Sequence, residues 1–159
     1  MKRLCAALAT ALVASLVSVG SASAAPQAKL ELTPATRTVT LGDTISVEIR
    51  LNTGGGPAIN AVQANLSYPS ALSCTGIVVN SAGWPVTAQS QCSADRVQIA
   101  VGAFAPVVGS MSRVAVVKFK TVARGMASLV FAEGSAAVDA ATSTNQLAAT
   151  HGATYTIQP

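Results

Sequence analysis

From Val62 the chain alternates without a fault. Val62, Ala64, Leu66 and Tyr68 fall on one parity, Gln63, Asn65 and Ser67 on the other, and Pro69-Ser70 ends the run. Period-two alternation closed by a turn is the pattern of a half-buried β-strand, with its apolar row inward and its polar row outward. The pattern recurs along the chain. "KLELT" (29–33) sets Leu30 and Leu32 on one side, and "RTVTL" follows Pro34. After a Gly42-Asp43 turn, "TISVEIRL" turns Ile45, Val47, Ile49 and Leu51 inward. "RVQIAV" does the same with Val97, Ile99 and Val101, and "SRVAVVKFKTV" with Ala115, Val117 and Phe119. "ASLVF" follows the Arg124-Gly125 turn, and "ATYTIQ" closes the chain with Tyr155 and Ile157 inward.

About seven to nine such strands, separated by Gly, Pro, Asn and Ser, predict an all-β sandwich of two antiparallel sheets. No segment has helical periodicity of useful length, no internal repeat is visible and no linker divides the chain. Phe104, Phe119, Phe131, Tyr68 and Tyr155 read as core filling.

The N-terminus follows a different rule. Lys2 and Arg3 precede an Ala/Leu/Val-rich stretch over 4–19, and Ala22-Ser23-Ala24 follows as a small-x-small cleavage site. This is the layout of a signal peptide over 1–24, short and diluted for a membrane anchor. The working protein is then a secreted domain over 25–159, about 135 residues, enough for a real core. Removing Lys2 and Arg3 lowers the net charge from +4 to +2. With no basic stripe interleaved with aromatics, nucleic acid is not the expected partner.

Cys5 leaves with the leader, and Cys74 and Cys92 remain, 18 positions apart. In an oxidising compartment an even pair is most simply one disulfide. A loop of that length corresponds to roughly 3 kcal/mol in the chain-entropy account.

Catalytic chemistry finds little to work with. His151 is the one histidine, set in "ATHGAT" before the last strand, and no G-x-S-x-G elbow occurs. None of the acids Glu31, Asp43, Glu48, Asp95, Glu133 and Asp139 forms an evident pair in unlike environments, as glycoside hydrolysis needs. "GGGP" lacks the Lys-Ser/Thr of a phosphate-binding loop. The expectation is a protein that is not an enzyme and carries no cofactor. The weak candidates for a metal are Asp139 and Asn145 in the oxygen-rich loop "DAATSTN"; calcium, which takes six to eight oxygens, several of them carboxylate, would find few there. Asn65-Leu66-Ser67 also fits a glycosylation acceptor, placed mid-strand. Trp84, between Gly83 and Pro85 in the segment joining the two cysteines, reads either as a lid over the core or as a glycan platform.

Four segments together resemble the cohesin family in order and spacing: "VTLGDTISVEIRLNTGG", "INAVQANLSYPSAL", "VAVVKFKTVARGMASLVFAEGSAAVDAATSTN" and the closing "GATYTI". The resemblance spans about residues 28–158. It implies a nine-stranded antiparallel β-sandwich with jelly-roll topology. It also implies a non-catalytic role in extracellular polysaccharide-degrading systems, where cohesins dock dockerin modules. In the family, polar side chains on the outward face of the "LSY" strand help hold the dockerin. Gln63, Asn65 and Ser67 occupy that face here, with Gln98 as a neighbour. The sequence departs from the family in lacking the Asp between Tyr68 and Pro69, in having Ala61 where a hydrogen-bonding residue often stands, and in its cysteine pair. Two other readings stay open: a carbohydrate-binding module contacting glycan through Trp84 and Tyr68, and a structural or adhesive surface protein without a specific ligand.

Overall fold

A computed structural model describes residues 25–109 and 111–159; the leader expected over 1–24 lies outside the described residues. Twelve strand segments follow one another: β1 (Ala28–Thr33), β2 (Thr36–Thr40), β3 (Thr44–Asn52), β4 (Ile59–Ser67), β5 (Leu72–Val79), β6 (Val86–Cys92), β7 (Arg96–Val107), β8 (Ser112–Thr121), β9 (Gly125–Phe131), β10 (Ala136–Asp139), β11 (Leu147–His151) and β12 (Ala153–Gln158). One sheet runs β11-β1-β3-β8-β5. The other runs β2-β12-β9-β4-β7-β6, with β10 beside the first half of β4.

The inward rows are those the alternation predicts. Leu30, Ile49, Leu51 and Phe119 of the first sheet meet Leu66, Ile99, Leu129 and Tyr155 of the second, all fully buried. Burying each such side chain favours folding by about 1.5–3 kcal/mol, so the alternation itself specifies which face is core. Two polar tips inside are satisfied. The Tyr155 hydroxyl donates to the Pro34 carbonyl at 2.9 Å and the Tyr68 hydroxyl to the Ser93 carbonyl. The Tyr68 ring also packs edge-on against Phe119, with centroids 5.0 Å apart.

The all-β sandwich stands, with two differences in detail. There are twelve segments rather than nine, and the sheets are mixed rather than purely antiparallel, because β1 pairs β11 and β12 pairs β2 in parallel. In addition, β7 carries a large irregularity against β4. Ala61 faces Gly102 while Ile59 faces Val107, so residues 103–106 bulge out of the ladder. Phe104, expected as core filling, lies in this bulge, on the opposite parity from the inward Val97, Ile99 and Val101, and is 84% exposed.

Cys74 of β5 and Cys92 of β6 form the expected disulfide, with Cα atoms 6.0 Å apart. These strands are the edges of opposite sheets, so the bond ties the two layers together along one side of the sandwich.

Candidate functional site

The outer face of β10-β4-β7-β6 carries the polar row of the "NAVQANLSYP" segment. Cross-strand register sets Asn65 beside Gln98, Ser67 beside Arg96, and Gln63 between Ala100 of β7 and Ala136 of β10. On the far side of β7, Gln98 lies beside Gln91 of β6. The four candidate side chains thus share one face, but they do not share one role.

Gln63 is exposed and makes no side-chain hydrogen bond among the described residues. Gln98 is held. Its Oε1 accepts from Gln91 Nε2 at 2.9 Å and from Gln89 Nε2 at 3.3 Å, which leaves its own amide N–H groups available. Ser67 is half-buried, next to Arg96 and, on the other side, Val130 of β9.

Asn65 has a structural duty. Its Nδ2 donates to the Glu133 carbonyl at 3.1 Å, and its backbone N–H donates to Ser135 Oγ at 3.2 Å. Its carbonyl in turn accepts from Ala132 N at 2.7 Å. The side chain clamps the β9–β10 connection, and its Oδ1 is buried without a partner. A Cβ on Gly134 would come within 2.9 Å of the Asn65 amide nitrogen, and Gly134 has φ of 84°. The left-handed backbone favours glycine there, and a Cβ would in addition displace the Asn65 amide from the Glu133 carbonyl.

Between the polar groups lies a shallow apolar trough of about 280 Å³. Ala61, Ala100, Gly102, Ala136 and Val138 form much of its surface, with Val86 at the β6 side. Small side chains at corresponding register positions on three strands leave the sheet open to a convex partner. Gln89 and Gln91 escape the sequence reading because β6 is exposed along most of both faces and shows no apolar parity. The only available signal was the alternation of Gln89 and Gln91 within "TAQSQC".

Trp84 is a correction. It is fully buried, its indole Nε1 donates to the Arg113 carbonyl at 3.2 Å, and its backbone N–H donates to the Asn80 carbonyl at 2.8 Å. No ring face is left for a sugar. Tyr68, 5% exposed, is equally unsuited.

The "DAATSTN" loop closes on itself. Asp139 Oδ1 accepts from Thr142 N (2.7 Å), Thr142 Oγ1 (2.9 Å) and Ala141 N (2.9 Å). The bonds from the Thr142 backbone and hydroxyl hold the carboxyl below the usual carboxylate value against the opposing effect of burial. Asn145 Oδ1 accepts from Leu147 N and Ala137 N, at 3.0 and 3.1 Å. Asp139 Oδ1 and Asn145 Oδ1, two of the oxygens suggested for calcium, already serve as acceptors for the loop. Among the described residues no three His, Cys, Asp or Glu side chains gather as a metal cluster. His151 sits exposed on edge strand β11, opposite Glu31 of β1.

No protein-family model and no curated protein sequence matches the chain. Solved structures do. CaCohA2 from Clostridium acetobutylicum is 13% identical with a TM-score of 0.70, over 84% of this chain and 92% of that one. The seventh ScaB type I cohesin from Pseudobacteroides cellulosolvens is 12% identical with a TM-score of 0.66, over 82% and 92%. A non-cellulosomal cohesin from the archaeon Archaeoglobus fulgidus is 15% identical with a TM-score of 0.64, over 84% and 92%. The chain has a cohesin-like fold.

Proposed function

We propose that the protein is a secreted, non-catalytic docking domain over residues 25–159, and that it binds another protein through the outer face of β10-β4-β7-β6. The observation that carries this reading is the trough itself. A floor of Ala61, Ala100, Gly102 and Ala136 is flanked by Gln63 and by a Gln98 oriented by Gln89 and Gln91. An apolar centre with oriented polar groups at its rim is the anatomy of a protein interface. A sheet face held by backbone ladders on both sides loses little freedom on binding.

Several similar structures are complexes with dockerins, among them cohesins of Clostridium thermocellum and Acetivibrio cellulolyticus. A dockerin-type module in an extracellular polysaccharide-degrading or cell-surface system is accordingly the partner proposed here. Export is supported by the leader pattern and by the disulfide.

The test uses the immobilised protein as bait for the proteins secreted by its source organism, with Ala100→Arg as the blocking variant. Ala100 lies mid-trough with its side chain outward, so the arginine fills the trough without entering the core. A captured partner carrying a dockerin-type module, lost with Ala100→Arg, is the predicted result. A partner retained equally by Ala100→Arg, or no partner at all, contradicts the proposal.

A further inference from the structure

The opposite face of the sandwich, outside β1-β3-β8-β5, has a different chemistry. Register aligns Ser73, Lys120 and Thr44 in one row across β5, β8 and β3, and Gly76, Lys118 and Ser46 in the next. Val78, Val116 and Glu48 follow, then Arg113 beside Arg50. With Lys29 on β1, this face holds five of the eight cations in residues 25–159, against the two carboxylates Glu31 and Glu48. Glu48 is shared by Arg50 at 2.6 Å and Arg113 at 3.7 Å. Among the described residues neither Lys118 nor Lys120 has a carboxylate within salt-bridge distance, and both are exposed. Being two positions apart on one strand, their stems rise about 7 Å apart on the same side.

This cationic row runs into a depression of about 260 Å³ lined by Val78, Val79, Asn80, Arg113, Val116 and Lys118. Its closed end is built rather than incidental. The Arg113 carbonyl accepts from both Asn80 Nδ2 (2.8 Å) and the buried Trp84 Nε1 (3.2 Å), which fixes the β5–β6 turn against β8. Trp84 thus stands behind the depression as a support.

We propose that this face binds a carboxylated polysaccharide, with Lys118 and Lys120 meeting successive carboxylates and Arg113 and Asn80 bounding the end of the site. Charge selects an anionic chain. The valine floor accepts the apolar face of a sugar ring but offers no aromatic for stacking a neutral one, so the carboxylates supply the attraction. A bilayer is less well matched, because membrane-surface elements bury a large apolar face among the headgroups, and here the exposed apolar side chain between the cations is a single valine, Val78. Single-stranded nucleic acid would want aromatic platforms for its bases, and Phe119 of this sheet is buried. The site lies on the sheet opposite the docking trough, so both faces can be occupied at once, and the two proposals stand or fall separately.

The experiment is retention of the purified protein on immobilised polygalacturonate, with fully methyl-esterified polygalacturonate as the uncharged control and phosphatidylserine vesicles as a second anionic surface. The wild-type protein is retained by polygalacturonate at low salt, released as salt rises, and passes through the esterified matrix. K118Q/K120Q weakens retention by about tenfold or more, since the long-range attraction of exposed charges is lost. Ala100→Arg leaves it unweakened. On the wild-type protein, polygalacturonate also shields Lys118 and Lys120 from amine acetylation more than Lys29. Absence of retention, wild-type retention by K118Q/K120Q, or vesicle binding tighter than polygalacturonate binding and lost in the same variant, each overturns the proposal.

Discussion

Trp84 and Arg113 meet at 3.2 Å through the indole N–H and a backbone carbonyl, across the turn that joins the two sheets at their disulfide-bridged side. Trp84 is also the protein's one tryptophan. Its fluorescence should be that of a buried indole, insensitive to added neutral glycans and shifting to that of an exposed ring only on unfolding. Trp84→Ala should cost about 3–5 kcal/mol, as truncations of buried large aromatics do. Trp84→Phe should cost less, because Asn80 still satisfies the carbonyl. Denaturant titration distinguishes these outcomes from a ligand-platform role, in which stability would barely change.

The Cys74–Cys92 bond joins the edge strands of two sheets that share no backbone ladder. Replacing both cysteines by alanine should lower stability by about 2–4 kcal/mol, in keeping with its loop length. Calorimetry of the double variant checks this. An unchanged melting temperature would mean that the bond does not restrain the unfolded chain.

Asn65 and Gln63 lie on the same outward row, yet they should respond differently. Asn65→Ala should reduce stability by about 1–2 kcal/mol, since it releases the Glu133 carbonyl and loosens the β9–β10 connection. Gln63→Ala should leave stability within about 0.5 kcal/mol, as at other surface positions without special contacts, and should weaken partner binding. Equal loss of stability in both variants would contradict the division of roles.

Two groups give stability a pH dependence of opposite sign. Asp139 has a folded pKa below its unfolded one, so its contribution is present above the unfolded carboxylate value and disappears as pH falls through the folded value. Tyr155 is pushed up to about 12 by burial, with Arg37 opposing. Its contribution is complete below the unfolded value of about 10 and is lost as pH rises towards 12. Asp139→Asn should flatten the acid limb of a stability–pH curve, and Tyr155→Phe the alkaline limb.

Much of the fold is legible in the alternation of β1, β3, β4, β7, β8 and β12, because each has one buried face and the period is two. β6 and β11 escape this reading. Both are edge strands with little or no fully buried side chain, so burial imposes no parity on them. The bulge at residues 103–106 is illegible for a related reason. How many residues leave the ladder depends on the register between β4 and β7, which no local pattern in the "GAFAP" segment records. The polar row of the proposed docking face could be read from parity. The trough between its members could not, because it is made of alanines and a glycine that only cross-strand register brings together.

Gly102 offers a milder probe of the trough than a charge would. A Cβ there would sit 3.5 Å from Val86 Cβ, in ordinary contact, so Gly102→Ala should fold normally and fill part of the floor.

The most direct measurement is backbone amide exchange of the protein with and without its captured partner, read strand by strand. The account predicts new protection on β4, β6 and β7, around Gln63, Gln89, Gln98 and Ala100, with β2 and β5 unchanged. Protection confined to β5 and β8, or spread along the open edge of β2, would contradict docking through this face.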